Sequence, residues 1–210
     1  MATMAAVAVL GVSAAANAQT FSNPTVIPIP GGTPTSGPST LYPSTIAVTG
    51  MAAGPWDIDV TITGLTHTFP SDLDILLVGP SGNVMVMSDT GGSGNVTNIN
   101  LTFSDGAPQM LNNQTDAAPL LSGTYGPPNV AQTDPMAAPA PVGPYGTSLN
   151  LLGLGVVNGT WNLFVVDDAA GDIGAINGGW SITFSAVPAP GALALLGLAG
   201  LAGARRRRRA

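Results

Sequence analysis

The side chains able to do chemistry in this chain are few and nearly all of one kind. Eleven carboxylates, every one an aspartate, stand against a single histidine, His67, and five consecutive arginines, Arg205, Arg206, Arg207, Arg208 and Arg209. Cys, Lys and Glu do not occur. Thiol catalysis and zinc–thiolate sites are therefore excluded. A Ser-His-Asp triad must use His67, and no Gly-x-Ser-x-Gly elbow exists to present a nucleophile. Two aspartates can in principle hydrolyse a glycoside. Strand periodicity puts Asp72 and Asp74 on one face, although both stand where a loop is equally consistent. The expectation is that the chain is not an enzyme. His67 reads as a structural hydrogen-bonding residue at a strand end, and its loss should leave a folded domain.

What the carboxylates can do is hold a hard cation. Asp167, Asp168 and Asp172 lie close in sequence, with Gly171 and Gly174 allowing the chain to fold back. Asp72 with Asp74 forms a second group and Asp57 with Asp59 a third. Calcium takes about six to eight oxygen ligands, and backbone carbonyls can complete such a set. The other reading is a solvated acidic turn, since Asp is favoured in turns for its own sake. Without the arginine cluster the body carries carboxylates and neither Lys nor Arg, so no internal salt bridge is expected. Such a surface repels nucleic acid and anionic lipid.

The elements that must position these groups read as short strands. Of the 210 residues 45% are hydrophobic and only 8% charged, with 28 Gly and 19 Pro, a profile of strands joined by turns. Residues 19–44 are rich in Pro, Ser and Thr and read as a linker, or as an edge strand near Val26 to Ile29. Strand patterns follow at 45–49, 57–63, 73–78, 83–87, 96–103, 160–166 and 179–185. Ile58, Val60 and Ile62 alternate with polar residues. Leu73 to Val78 is apolar on both faces and should be central. Gly79-Pro80-Ser81-Gly82 is a turn that makes 73–87 a hairpin. Trp161, Leu163 and Val165 share one face, as do Trp180, Ile182 and Phe184. Residues 104–147 carry few strand signals and form a long irregular excursion. This predicts an all-β fold, an antiparallel sandwich or jelly roll, with helices confined to the two ends.

Those ends read as addresses. Residues 1–18 comprise an apolar stretch closed by Ala16-Asn17-Ala18, the small-x-small pattern of a signal-peptide cleavage site, although no Lys or Arg precedes it. Export permits disulfides, and none can form. At the other end Pro188-Ala189-Pro190 precedes a Gly/Ala/Leu-rich segment, about 191–204, and then the arginines. This order resembles the PEP-CTERM sorting signal read by exosortases, with Ala189 where that family has Glu. The resemblance implies transient inner-membrane anchoring, a sorting protease as partner, and a destination in the cell envelope or extracellular matrix. The apolar segment is short for a permanent span, and the arginines would stay cytoplasmic.

The body has a resemblance of its own. His67-Thr68-Phe69, Asp72-Leu73, Gly79-Pro80-Ser81-Gly82, Gly159-Thr160-Trp161, Asp167, Gly171-Asp172-Ile173-Gly174 and Trp180 occur in that order. The arrangement resembles the P-domain that follows the catalytic domain of subtilisin-like proprotein convertases. It covers about residues 45–185, loosely over 104–150, and implies a jelly roll with an accessory, non-catalytic role. The organisation expected is a signal peptide at 1–18, a linker or edge strand at 19–44, a P-domain-like sandwich at 45–186 and a sorting tail at 187–210. The leading function is a structural or protein-interaction module of the envelope. The alternative is a module binding carbohydrate or extracellular matrix through Trp56, Tyr125 and Tyr145, aromatics on irregular segments whose other reading is loop packing.

Overall fold

The structure, a computed structural model, describes residues 18–30, 36–111, 117–127 and 134–187. The helices expected in the signal peptide and the sorting tail lie outside the described residues. Among the described residues there is no α-helix, only two 3₁₀ turns, at Pro70–Asp72 and Leu152–Leu154. In chain order the strands are β1 (Ala18–Asn23), β2 (Ile27–Ile29), β3 (Gly37–Pro38), β4 (Ser44–Val48), β5 (Trp56–His67), β6 (Leu73–Gly79), β7 (Gly82–Met87), β8 (Val96–Phe103), β9 (Gly123–Tyr125), β10 (Gly159–Asp167), β11 (Gly174–Ile176) and β12 (Trp180–Ala186).

They form two sheets packed as a β-sandwich. In the first, β5 is flanked on one side by β12 and, further along, β11. These are edged by β1 and β2 respectively. On the other side of β5 lie β8 and then β9. In the second sheet β10 lies between β6 and the pair β3 and β4, and β7 completes the β6 hairpin. Pairing is antiparallel except between β8 and β9, which run parallel, so the expected purely antiparallel pattern needs that correction. β9 itself lies in the segment read as irregular. Within residues 19–44 the chain is paired into both sheets through β1, β2 and β3. β2, at Ile27–Ile29, is an edge strand at the position expected near Val26 to Ile29.

The inner faces follow from alternation. Ile58, Val60 and Ile62 of β5, and Trp180, Ile182 and Phe184 of β12, meet Trp161, Leu163 and Val165 of β10 and Leu73, Ile75 and Leu77 of β6, all buried in one core. β6 is apolar on both faces because its second face is buried too. Leu76, Phe164, Val166 and Met85 on the outer side of the second sheet are covered by Met136, Ala140 and Tyr145, with Tyr42 stacked edge-on against Phe164. The irregular excursion thus supplies a lid of apolar side chains to one sheet.

One irregularity decides the site. At Gly64 (φ 72°) the pairing of β5 with β8 shifts register between Ile62 and Leu65. A β-bulge inserts one residue and reverses the parity of everything beyond it. Strict alternation from Ile58 would turn His67 to solvent with Asp57, Asp59 and Thr61. The bulge turns Leu65 and His67 inward instead, and both are fully buried.

Candidate functional site

The end of the sandwich where β5 and β10 finish and β6 begins gathers most of the described aspartates and the single histidine. His67 and Asp167, both 0% exposed, close their strands with Nε2 and Oδ2 at 3.4 Å. This corrects one expectation: His67 is a fully buried residue packed against a carboxyl, and its loss should not leave the domain undisturbed. The contact is longer than a good hydrogen bond, and neither Nε2 nor Oδ2 has a hydrogen-bond partner. The other ring nitrogen, Nδ1, is held by the backbone of Phe69, 2.9 Å from its O and 3.2 Å from its N. Burial pushes the imidazole below its ordinary value. The same burial, with the charges of Asp172 and Asp168, raises Asp167 to about 6.

The glycines of the 171–174 turn have specific reasons. Gly174 pairs across from His67, and a Cβ there would run into the His67 ring and the Thr66 carbonyl. Gly171 has φ +119°, a conformation L side chains rarely adopt. Thr68 clasps the turn. Its hydroxyl donates to Asp172 Oδ1 at 2.7 Å and accepts from the Ile173 N–H at 3.0 Å. The Asp168 N–H donates to the Asp72 carbonyl at 2.9 Å and ties the same turn to the start of β6.

These contacts bring Asp72, Asp167, Asp168 and Asp172 together, and Asp168 links them to a second group. Asp72 is raised to about 7 by burial and then by Asp172, Asp167 and Asp168. Asp74 is raised to about 7 by burial and by Asp168, Asp134 and Asp89, against a hydrogen bond from Ser88. Burial and Asp134 raise both Asp89 and Asp168. Five of the seven aspartates read as candidate cation ligands, Asp72, Asp74, Asp167, Asp168 and Asp172, therefore share this end, with Asp89 and Asp134 added. Asp89 was recoverable from the β6–β7 hairpin, since Ile75 pairs with Met87 and returns the chain to this end. Asp134 lies in irregular chain and gave no signal. No arginine or lysine falls within the described residues. Among those residues, no three carboxylate or imidazole groups are already disposed as a metal-binding set.

Asp57 and Asp59 lie apart, near the start of β5, where burial and then the charges of Asp57 and Asp105 raise Asp59. Asp105 accepts from Ser148 Oγ at 2.7 Å and from the N–H groups of Leu149 and Asn150 at 3.0 and 2.9 Å. The aromatic binding residues need correction. Trp56, Tyr125 and Tyr145 are 8%, 7% and 5% exposed. Their polar atoms donate to the carbonyls of Ala52, Leu121 and Pro141. A ring buried to that degree offers no face for a sugar, so these side chains pack their own loops. Pro188, Ala189, Pro190 and Arg205 to Arg209 lie outside the described residues.

No protein-family model, curated protein or solved structure matches this chain. The acidic end offers oxygen donors, crowded enough that Asp72 and Asp74 are raised to about 7 and Asp167 to about 6, beside an imidazole whose Nδ1 is held by Phe69 and whose Nε2 faces Asp167 without a hydrogen bond.

Proposed function

We propose that residues 19–186 are an exported, non-catalytic domain whose P-domain-like jelly roll covers 45–186. In this reading it serves as a structural or protein-interaction module of the cell envelope, with calcium as ligand of its acidic end. The observation that carries the reading is the gathering of seven aspartates at one end with no lysine or arginine among the described residues. One of them, Asp167, is fully buried with an oxygen that makes no hydrogen bond. A hard cation relieves that repulsion and satisfies that oxygen. Asp72, Asp167, Asp168 and Asp172 are the first candidates for ligands, followed by Asp74.

The residues of the P-domain resemblance support a structural role for the motif, because His67, Thr68, Asp167, Asp172 and Gly174 pack against one another. A non-enzymatic role is supported by His67, whose ring nitrogens face Phe69 and Asp167 and no hydroxyl nucleophile. The sorting reading is supported by the extent of the folded unit, Ala18 to Ala186. Cuts after Ala18 and near Pro188–Pro190 release it essentially whole. The protein–interaction reading is preferred to carbohydrate binding because Trp56, Tyr125 and Tyr145 are buried.

Thermal unfolding in excess calcium and in chelator tests the proposal. Calcium at about 100 times its dissociation constant adds roughly 2.7 kcal/mol, and Asp72→Asn with Asp168→Asn should abolish the increment. Superimposable melting curves refute calcium binding. Intact mass spectrometry of protein from the native host tests the sorting reading, with a mass lacking Arg205 to Arg209 expected. A mass that retains them leaves a plain anchor.

A further inference from the structure

The end of the sandwich opposite the carboxylates has a different character. There β5 begins and β12 finishes, with Ala186 paired to Trp56, and β1 starts with Ala18 paired to Ser185. Over this end runs the loop 150–157. Leu151, Leu154 and Val156 point outward, 64%, 68% and 64% exposed. Leu149, Leu152 and Val157 between and beside them are buried in the core. The loop is held from beneath. Asn150 Oδ1 accepts from the Ile58 N–H at 3.0 Å, and Ser81 Oγ donates to the Val156 carbonyl at 2.7 Å. Gly153 packs directly on the Trp56 carbonyl, with no room for a Cβ. Three exposed apolar side chains are thus presented by fixed backbone, and no charged residue occurs between Asp134 and Asp167.

We propose that this loop is a lipid-contacting surface that enters the headgroup region of a zwitterionic bilayer. The proposal rests on the reading of the C-terminal tail as membrane-inserted. Chain length supplies the argument. Four residues, 187–190, separate Ala186 from the apolar segment read from Gly191. Fully extended they span at most about 14 Å, and the headgroup zone of one leaflet is itself about 6 Å deep. The end of the fold that carries Ala186 is then held at the membrane surface, and loop 150–157 shares that end. No residue of the loop itself is charged, so Leu151, Leu154 and Val156 can leave water without carrying a charge with them. The lipid is zwitterionic because the body has no Lys or Arg to attract anionic headgroups. Asp57, Asp59 and Asp105, on the same half of the first sheet, would be repelled by them. The carboxylate end faces away, toward the aqueous side.

The absence of Cys permits a direct test on the full chain in phosphatidylcholine vesicles. Single substitutions Leu154→Cys in the loop, Ile173→Cys at the acidic end and Ala199→Cys in the tail each carry an environment-sensitive fluorophore. Spin-labelled phosphatidylcholine is the quencher. Quenching at 154 and 199 but not at 173 is the expected result. Quenching at 199 alone overturns the lipid-contact proposal and leaves the tail reading intact. Quenching at 154 without 199 sustains the loop contact and removes the tail reading, while no quenching at either position removes both. A blue shift at 154 that needs no lipid and grows with protein concentration identifies a second copy as the occupant and also overturns the proposal.

Discussion

Trp161 and Trp180 each anchor one sheet with a fully enclosed ring. Trp161 donates to the Val157 carbonyl at 2.8 Å and meets Phe184 edge-on, and Gly79 lies flat against its six-membered ring. Trp180 donates to Ser44 Oγ at 3.0 Å. Replacing either by Ala should cost about 3–5 kcal/mol, read as a lowered denaturation midpoint. An unchanged midpoint would move that tryptophan from core to recognition surface. His67→Ala belongs in the same class, contrary to what its sequence position suggests. It removes a buried ring and leaves a cavity beside Asp167 Oδ2, while Oδ1 keeps the Ala169 N–H at 3.2 Å, at a cost of about 3 kcal/mol. His67→Asn, smaller but polar, should recover part of that loss. The tryptophans were legible because each opens a run of alternating apolar residues. His67 was not, because its burial depends on a parity change several residues earlier.

At the scale of elements, regular strands were readable wherever one rule of alternation held throughout. β6 and β10 are examples, and β6 was recognisable as central because both its faces are apolar. The failures have local causes. β1 has a single half-buried aromatic, Phe21, packed on Phe184, and its other side chains gave no alternation to read. β9 is three residues long and pairs parallel with β8 far from its own neighbours in sequence. The bulge at Gly64 was marked only by a glycine inside a strand, a signal usually worth heeding. The acidic end was legible as clusters of aspartates, but their union depended on the pairing of β6 with β10, which no local pattern announces. A paired substitution tests the motif glycines. Gly174→Ala must displace the His67 ring or the Thr66 carbonyl and should destabilise by about 2 kcal/mol or more. Gly106→Ala, where a Cβ meets nothing within 4 Å, should be close to neutral. Equal thermal midpoints for the two variants would show that the β5–β11 pairing gives way easily.

For the whole molecule, the raised carboxyl values set the direction of pH dependence. Asp72 and Asp74 at about 7 and Asp167 at about 6 hold protons more tightly in the folded chain than the unfolded value of about 3.9 requires. Their contribution is complete below that unfolded value and is lost as pH rises through 6 to 7. His67, lowered by burial, acts in the opposite sense below its ordinary value, but it is one group against three. Calorimetry in chelator should give a higher midpoint at pH near 5 than near 8, with calcium restoring the alkaline side. A midpoint that climbs with pH would mean that the carboxylates are relaxed by solvent. A last consequence concerns the meeting of the two ends of the fold. Ala18 and Ser185 are cross-strand neighbours, which places their backbones about 5 Å apart. The domain can therefore be closed into a ring by a linker of a few residues and reopened in the Pro80–Ser81 turn, or spliced whole into a surface loop of another protein. Such a fold is a cassette: its connections to the rest of a polypeptide enter and leave through one doorway.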